Sequence, residues 1–184
     1  EMEGKTVMFV AENKKLTGII ALKDNIKENM LIAIDELKKE HLNLLLISKD
    51  SQRTTQAIAH EIGIARSISC QEGSTKKDQI VRLQQEGKKV AFVGDGISET
   101  ELLSTADVGM ILGSSIDFVK YDSDVVLIKD DPADIATAIE LGKKTFNKVK
   151  QNIFWALFYN TIAIPVAAGI LYPVANIIIR PEIA

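Results

Sequence analysis

Between Lys150 and Arg180 the chain has no charged residue. From Gln151 to Ile179 most positions are Ile, Phe, Leu, Val or Ala. A membrane helix needs about 20 mostly apolar residues, and this run is long enough. The competing reading is a buried core helix, but core helices rarely extend this far without a charge. Setting aside Arg180 and Glu182, the totals of 22 basic and 25 acidic residues leave 21 and 24 ahead of the run. That balance belongs to a water-soluble part, so the sequence predicts a soluble domain feeding directly into a membrane segment. Lys143, Lys144, Lys148 and Lys150 lie just before the run. The positive-inside tendency then predicts a cell-membrane protein with residues 1–150 in the cytoplasm. The single cysteine, Cys70, excludes an internal disulfide and suits a reducing compartment. A net charge of −3 gives no bulk attraction for polyanions, so no nucleic-acid partner is expected.

The soluble part alternates strand and helix patterns. Residues 6–11 and 17–22 read as strands joined by a hairpin turn. Ile26, Met30, Ile34 and Leu37 fall at helical spacing, which predicts a helix over 26–40. The nearly continuous apolar run 42–47 reads as a strand covered on both faces. Helices follow over 51–62, ended by Gly63, and over 75–86. A strand at 89–93 runs into Gly94-Asp95-Gly96; then come a short helix at 99–106 and strands at 108–112 and 125–128. Asp131-Pro132 reads as an N-cap with proline at the first helical position. It opens a long helix through Lys150. This alternation predicts an α/β fold, a parallel sheet with helices on both faces.

In open α/β sheets ligands bind at the carboxyl ends of the strands. Two strand ends here are polar: Ser48-Lys49-Asp50, and Gly94-Asp95-Gly96 followed by Glu99. Asp95 and Glu99 offer hard carboxylate oxygens suited to Mg²⁺, and Gly94 and Gly96 let the backbone approach a phosphate. Ser48 offers a hydroxyl to a phosphoryl oxygen, and Lys76 a charge to neutralise it. Each has a plainer reading. Gly-Asp-Gly is equally a turn, Ser-Lys-Asp a helix cap, and Lys76 and Lys77 solvated lysines. Asp107 and Asp124, each just before a strand, read as turn residues. His41 and His60 have no partners at ligand spacing, so a zinc site is not expected.

Taken together, these motifs resemble the heavy-metal-transporting P-type ATPases, closest to their copper(I)-exporting branch. The resemblance rests on Gly18-Ile19-Ile20-Ala21-Leu22-Lys23-Asp24, on Val90-Ala91-Phe92-Val93-Gly94-Asp95-Gly96 and on Ala106-Asp107-Val108-Gly109. Its most specific stretch runs from Lys150-Gln151-Asn152-Ile153-Phe154-Trp155-Ala156 through Tyr159-Asn160 to Ile164-Pro165-Val166-Ala167-Ala168-Gly169. It implies an exit strand of a nucleotide-binding domain over 1–17 and part of a haloacid-dehalogenase-like phosphorylation domain over 18–140. A connecting helix and transmembrane segment follow over 141–184. It implies Mg²⁺ at Asp95 and Glu99, and Lys76, Ser48 and Asp50 on the phosphate and nucleotide side. It gives Tyr159 and Asn160 a part in a transmembrane metal site. ATP in the full-length parent, copper(I) or another soft metal ion, the remaining pump domains and the membrane are the implied cofactors and partners.

Several positions depart from that pattern. Ser48-Lys49-Asp50 stands where the family has Thr-Gly-Asp. Ser98, Glu99 and Glu101 stand where it has Asn, Asp and Pro. Gly73 stands where it has the proline of Pro-x-x-Lys, while Lys76 is kept. The Asp-Lys-Thr-Gly-Thr motif with the phosphorylated aspartate does not occur in these residues, and Asp24 lacks the followers to replace it. The sheet is therefore expected to be incomplete. The nucleophile's strand would lie between the strands ending at Ser48 and Gly94, so those two either close up or leave their edges unpaired. The alternatives are a non-catalytic interaction module related to a pump, or a soluble phosphatase of the same superfamily.

Overall fold

The computed structural model describes residues 6–23, 25–70, 75–94, 99–113 and 123–168. Asp24, Gly73, Asp95, Gly96, Ser98 and the run from Gly169 onward lie outside the described residues. The chain divides into two compact units, Glu1–Thr137 and Ala138–Ala184.

The first unit opens with an antiparallel hairpin, β1 (Thr6–Glu12) and β2 (Lys15–Leu22), with Thr6 opposite Leu22, Glu12 opposite Lys15 and a shift of register between Val10 and Ala11. Asn13 and Lys14 form its turn, both at positive φ, as a two-residue hairpin loop with the twist of its strands requires. Helix α1 (Met30–Lys39) starts later than the apolar spacing predicts. Asn29, at φ 63°, breaks the helical path just before it, and Asn tolerates that left-handed conformation better than most residues.

Strand β3 (Leu45–Ser48), helix α2 (Gln52–Glu61) and strand β4 (Arg66–Ser69) form a right-sized β–α–β unit, with β3 and β4 parallel. Helix α3 (Lys76–Gln85) leads to β5 (Ala91–Gly94), helix α4 (Thr100–Thr105), β6 (Val108–Leu112) and β7 (Val125–Leu127). These three strands form a parallel sheet in the order β5-β6-β7. The parallel pairing agrees with the alternating sequence pattern, but the strands make two sheets rather than one. Among the described residues β3 pairs only with β4, and β5 only with β6. Among the described residues β3 and β5 do not close up against one another.

Packing is closest where α4 lies against β6. Leu103 and Ile111 are each 1% exposed, and Phe92 packs on them. Gly109 makes that approach possible, because a Cβ there would lie 2.6 Å from the Leu103 carbonyl oxygen. Asp107 is more than a turn residue. It accepts from Lys89 Nζ at 2.7 Å, the Val90 N–H at 3.0 Å and Gln84 Nε2 at 3.2 Å, tying α3 and the start of β5 to the start of β6. Asp124 likewise accepts from the Gly109 N–H at 2.8 Å.

Helix α5 (Ala133–Ala167) begins in the first unit, where Ile135 and Ala136 are buried, and runs on through the second. The Asp131 carboxylate accepts from the Ala133 N–H at 3.0 Å, so the expected cap forms at this end. No helix among the described residues is long and apolar enough to cross a membrane. The described part of α5 ends inside the uncharged run, and Gln151, Asn152 and Asn160 dilute the apolar residues before that end.

Candidate functional site

The two polar strand ends form two separate groups of side chains. At the end of β3, Ser48 Oγ donates to Asp50 Oδ2 at 2.6 Å and accepts from the Asp50 N–H at 3.1 Å. Such a local loop is a common habit of Ser next to Asp. Ser69 at the end of β4 donates its hydroxyl to the Asp50 carbonyl, and the Cys70 N–H donates to the Ser48 carbonyl at 2.8 Å. The Ser48 hydroxyl thus points its proton at Asp50.

The second group gathers around the end of β5. Lys76 is the first residue of α3, and that end is firmly built. Thr75 Oγ1 accepts from the Asp78 N–H at 3.1 Å, and Asp78 Oδ2 accepts from the Thr75 N–H at 2.7 Å. This reciprocal capping box satisfies two backbone donors at once. The Thr75 N–H, with its hydroxyl as the next contributor, also holds the Asp78 carboxyl below the usual carboxylate range.

From this start the Lys76 side chain reaches Glu99, the cap residue of α4, at 2.6 Å between Nζ and Oε1. The two side chains are only 18% and 16% exposed. Lys77 and Glu101 repeat the pairing one step outward, also at 2.6 Å, with side chains 46% and 72% exposed. The sequence left both lysines open to a solvated reading; both are paired. The outer pair was not expected at all, although two glutamates two residues apart facing two adjacent lysines is a signal that could have revealed it.

Gly94 ends β5 directly under Glu99. A Cβ on Gly94 would lie 2.7 Å from Glu99 Oε2. The absence of a side chain on Gly94 therefore lets the second carboxylate oxygen and the edge of the Phe92 ring lie close to the β5 backbone, while the first oxygen is on Lys76. A hard carboxylate oxygen suits Mg²⁺ better than any soft metal. Among the described residues there is no group of three or more His, Cys, Asp or Glu side chains placed to hold a metal ion; Asp95 and Gly96, the rest of the sequence-predicted loop, lie outside those residues.

No hydrogen bond among the described residues joins the Ser48–Asp50 group to the Lys76–Glu99 group. Tyr159 and Asn160 occupy consecutive positions of α5 in the second unit, and both are exposed. Consecutive helical residues project about 100° apart, so the two side chains leave α5 in different directions.

Parallel strands alternating with helices, with Gly94, Glu99 and Lys76 gathered at the carboxyl end of β5, make an α/β fold with polar side chains where such sheets bind ligands. The family model of haloacid dehalogenase-like hydrolases matches residues 1–107, and the chain belongs to that family. Within it, the whole chain is similar to copper-exporting P-type ATPases. It is 43% identical over 184 residues to the probable copper-exporting P-type ATPase of Archaeoglobus fulgidus, covering all of this chain and 23% of that protein. It is 42% identical over 174 residues to the copper-exporting P-type ATPase of Bacillus subtilis, covering 94% of this chain and 22% of that protein. The chain thus spans under a quarter of the length of these relatives. A zinc-transporting PIB-type ATPase in its E2·Pi state superposes with a TM-score of 0.76 at 29% identity, over 91% of this chain and 28% of that one. A 3-deoxy-D-manno-octulosonate 8-phosphate phosphatase from Moraxella catarrhalis shares the fold, with a TM-score of 0.53 at 16% identity, over 79% of this chain and 84% of that one.

Proposed function

We propose that these residues are a segment of an ATP-driven copper(I)-exporting P-type ATPase. In this reading residues 1–17 are the exit strand of a nucleotide-binding domain and 18–140 part of the phosphorylation domain. Residues 141–184 are a connecting helix and a transmembrane segment, with 1–150 on the cytoplasmic side. The observation that carries it is the likeness to copper-exporting pumps along the entire chain. The part-buried Lys76–Glu99 pair beside Gly94 agrees with it.

The segment's own residues would act on a phosphoryl group carried elsewhere in the parent. Lys76 would neutralise its charge, and Ser48, with Asp50 orienting its hydroxyl, would donate to one oxygen. Glu99, with Asp95, would hold Mg²⁺, which when bound supplies further charge neutralisation. Glu99 gives one oxygen to Lys76 and keeps the other toward Gly94, so it can serve both without rearranging. Tyr159 and Asn160 would contribute to the metal path in the membrane, where polar side chains are costly and mostly functional.

The test is copper-dependent phosphoenzyme formation from ATP by the full-length parent. An acid-stable, hydroxylamine-sensitive label that needs an Asp-Lys-Thr-Gly-Thr upstream of Glu1 supports the reading. A parent that lacks the motif and takes no label refutes it. It would favour instead a non-catalytic module that associates with a pump. One observation favours that second reading: both lysines at the start of α3 already have carboxylate partners.

A further inference from the structure

Helices α3 and α4 are fastened to each other at both ends. At the far end Gln84 Nε2 donates to the Thr105 carbonyl at 3.0 Å. At the near end two ion pairs, Lys76–Glu99 and Lys77–Glu101, cross between the two helix starts, each at 2.6 Å. Helix α4 is six residues long, too short to hold itself together in water. Its ties to neighbouring elements therefore decide where its first turn sits. Leu103, 1% exposed, anchors the middle of α4 in the core; the two glutamates lie ahead of that anchor. The cap residue Glu99 makes no side-chain hydrogen bond to its own helix, and its carboxylate goes to Lys76 instead. Glu101 belongs firmly to the helix, where its carbonyl accepts from Thr105 Oγ1 at 2.6 Å and from Ser104 Oγ at 3.2 Å.

The two pairs differ in what else is asked of them. In the function proposed above, Lys76 serves a phosphoryl group and Glu99 serves Mg²⁺. Each then shares its charge with a ligand, so the attraction between them weakens whenever the site is filled. That reading asks nothing of Lys77 or Glu101. Their pair spans the same gap between the same two helix starts, one step farther out. It keeps its attraction whether the site is full or empty.

We propose that Lys77 and Glu101 are positioning residues for the phosphoryl and Mg²⁺ site. Their pair holds the start of α4 to the start of α3, and so keeps Glu99 in place, while Lys76 and Glu99 are both engaged. The proposal rests on the reading of Lys76 and Glu99 as site residues of a pump. An exposed pair contributes little to global stability, and here little is needed, because the core and Gln84 already fix the rest of α4.

The full-length parent is compared with Lys77→Gln, with Glu101→Gln and with the exchanged pair Lys77→Glu/Glu101→Lys. Hydrogen exchange over Thr100–Thr105 is read by mass spectrometry, with and without Mg²⁺ plus inorganic phosphate. With neither present, both single variants should exchange like the parent, since the inner pair still holds. With both present they should exchange about threefold faster than the parent, within the range open to an exposed pair. The Mg²⁺ concentration for half-maximal phosphoenzyme should rise about threefold at an unchanged maximal level. The exchanged pair should restore both readings. Single variants that match the parent throughout, or that exchange faster with the site empty as well as filled, overturn the proposal while the pump reading stands. So does an exchanged pair no better than the single variants. A parent that takes no label removes the pump reading, and the proposal falls with it.

Discussion

Gly109→Ala separates rigid from yielding neighbours in this fold. A Cβ at 109 would lie 2.6 Å from the Leu103 carbonyl oxygen and 3.0 Å from the Leu103 carbonyl carbon and Cα. All three are backbone atoms of α4, so no side chain can swing away. Ordinary contact begins at 3.4 Å, and α4 must retreat by most of an ångström to reach it. Leu103 and Ile111, each 1% exposed, would lose close packing over the same gap. Overpacking of this kind costs about 1–3 kcal/mol. The displaced helix also carries Glu99 and Glu101 at its start, so both ion pairs to α3 should loosen with it. Urea unfolding followed by circular dichroism reads the stability, and native-state hydrogen exchange at the β6 amides reads the region. A midpoint within experimental error of the parent chain, with β6 still protected, would refute the argument that this approach is a rigid one.

Gly94→Ala should behave oppositely. Its closest clash is with the mobile end of Glu99, at 2.7 Å, so stability should drop by under about 1 kcal/mol, while a shifted Glu99 lowers Mg²⁺ affinity measured by calorimetry. Lys77→Ala should change stability by under about 0.5 kcal/mol because its pair is exposed. Lys76→Ala should cost about 1–3 kcal/mol by stranding a part-buried carboxylate; equal effects in denaturant melts would contradict the difference in burial. Lys89, then the Val90 N–H and Gln84, hold the Asp107 carboxyl down at about 2 from an ordinary 3.8. A depressed carboxyl contributes stability that is full above its unfolded value and is lost as pH falls through its folded one. Acid unfolding should therefore steepen between about pH 4 and pH 2, and Asp107→Asn should flatten that stretch of the profile. The purified 184-residue chain should take no hydroxylamine-sensitive label from radioactive ATP, since it has no nucleophile in the required motif; a label lost in Asp24→Asn would show that Asp24 serves after all.

Much of the first unit was legible because its signals are local. The Asn13-Lys14 turn, the glycines closing α2 and α3, and the apolar stretches of β3 and β6 each announce themselves within a few residues. Strand β4 did not. Arg66-Ser67-Ile68-Ser69 has one apolar residue, and it is a strand because β3 lies alongside it, a partner twenty residues away in sequence that no window can see. The start of α1 was misplaced because periodicity counts Ile26 but not the left-handed Asn29. At the site, residue types were readable and pairings were not. Glu99 was chosen as a metal ligand; that it is also the counter-ion of Lys76 depends on how α3 and α4 converge. Glu101 was read only as a departure from a motif, and Lys77 as a solvated neighbour, for the same reason.

Among the described residues β3 and β5 each pair on one side only, and that bears on how these residues behave in company. Each strand is four residues long, about 13 Å of hydrogen-bonding ladder. An open ladder is a template for any extended peptide that drifts past. Four residues are too few to hold a second copy for long and enough to hold it briefly. Weak, reversible self-association that grows with concentration is the natural outcome, and a short extended peptide supplied in excess should suppress it by occupying the vacant ladder. Concentration, as much as surface charge, should then set how these residues associate.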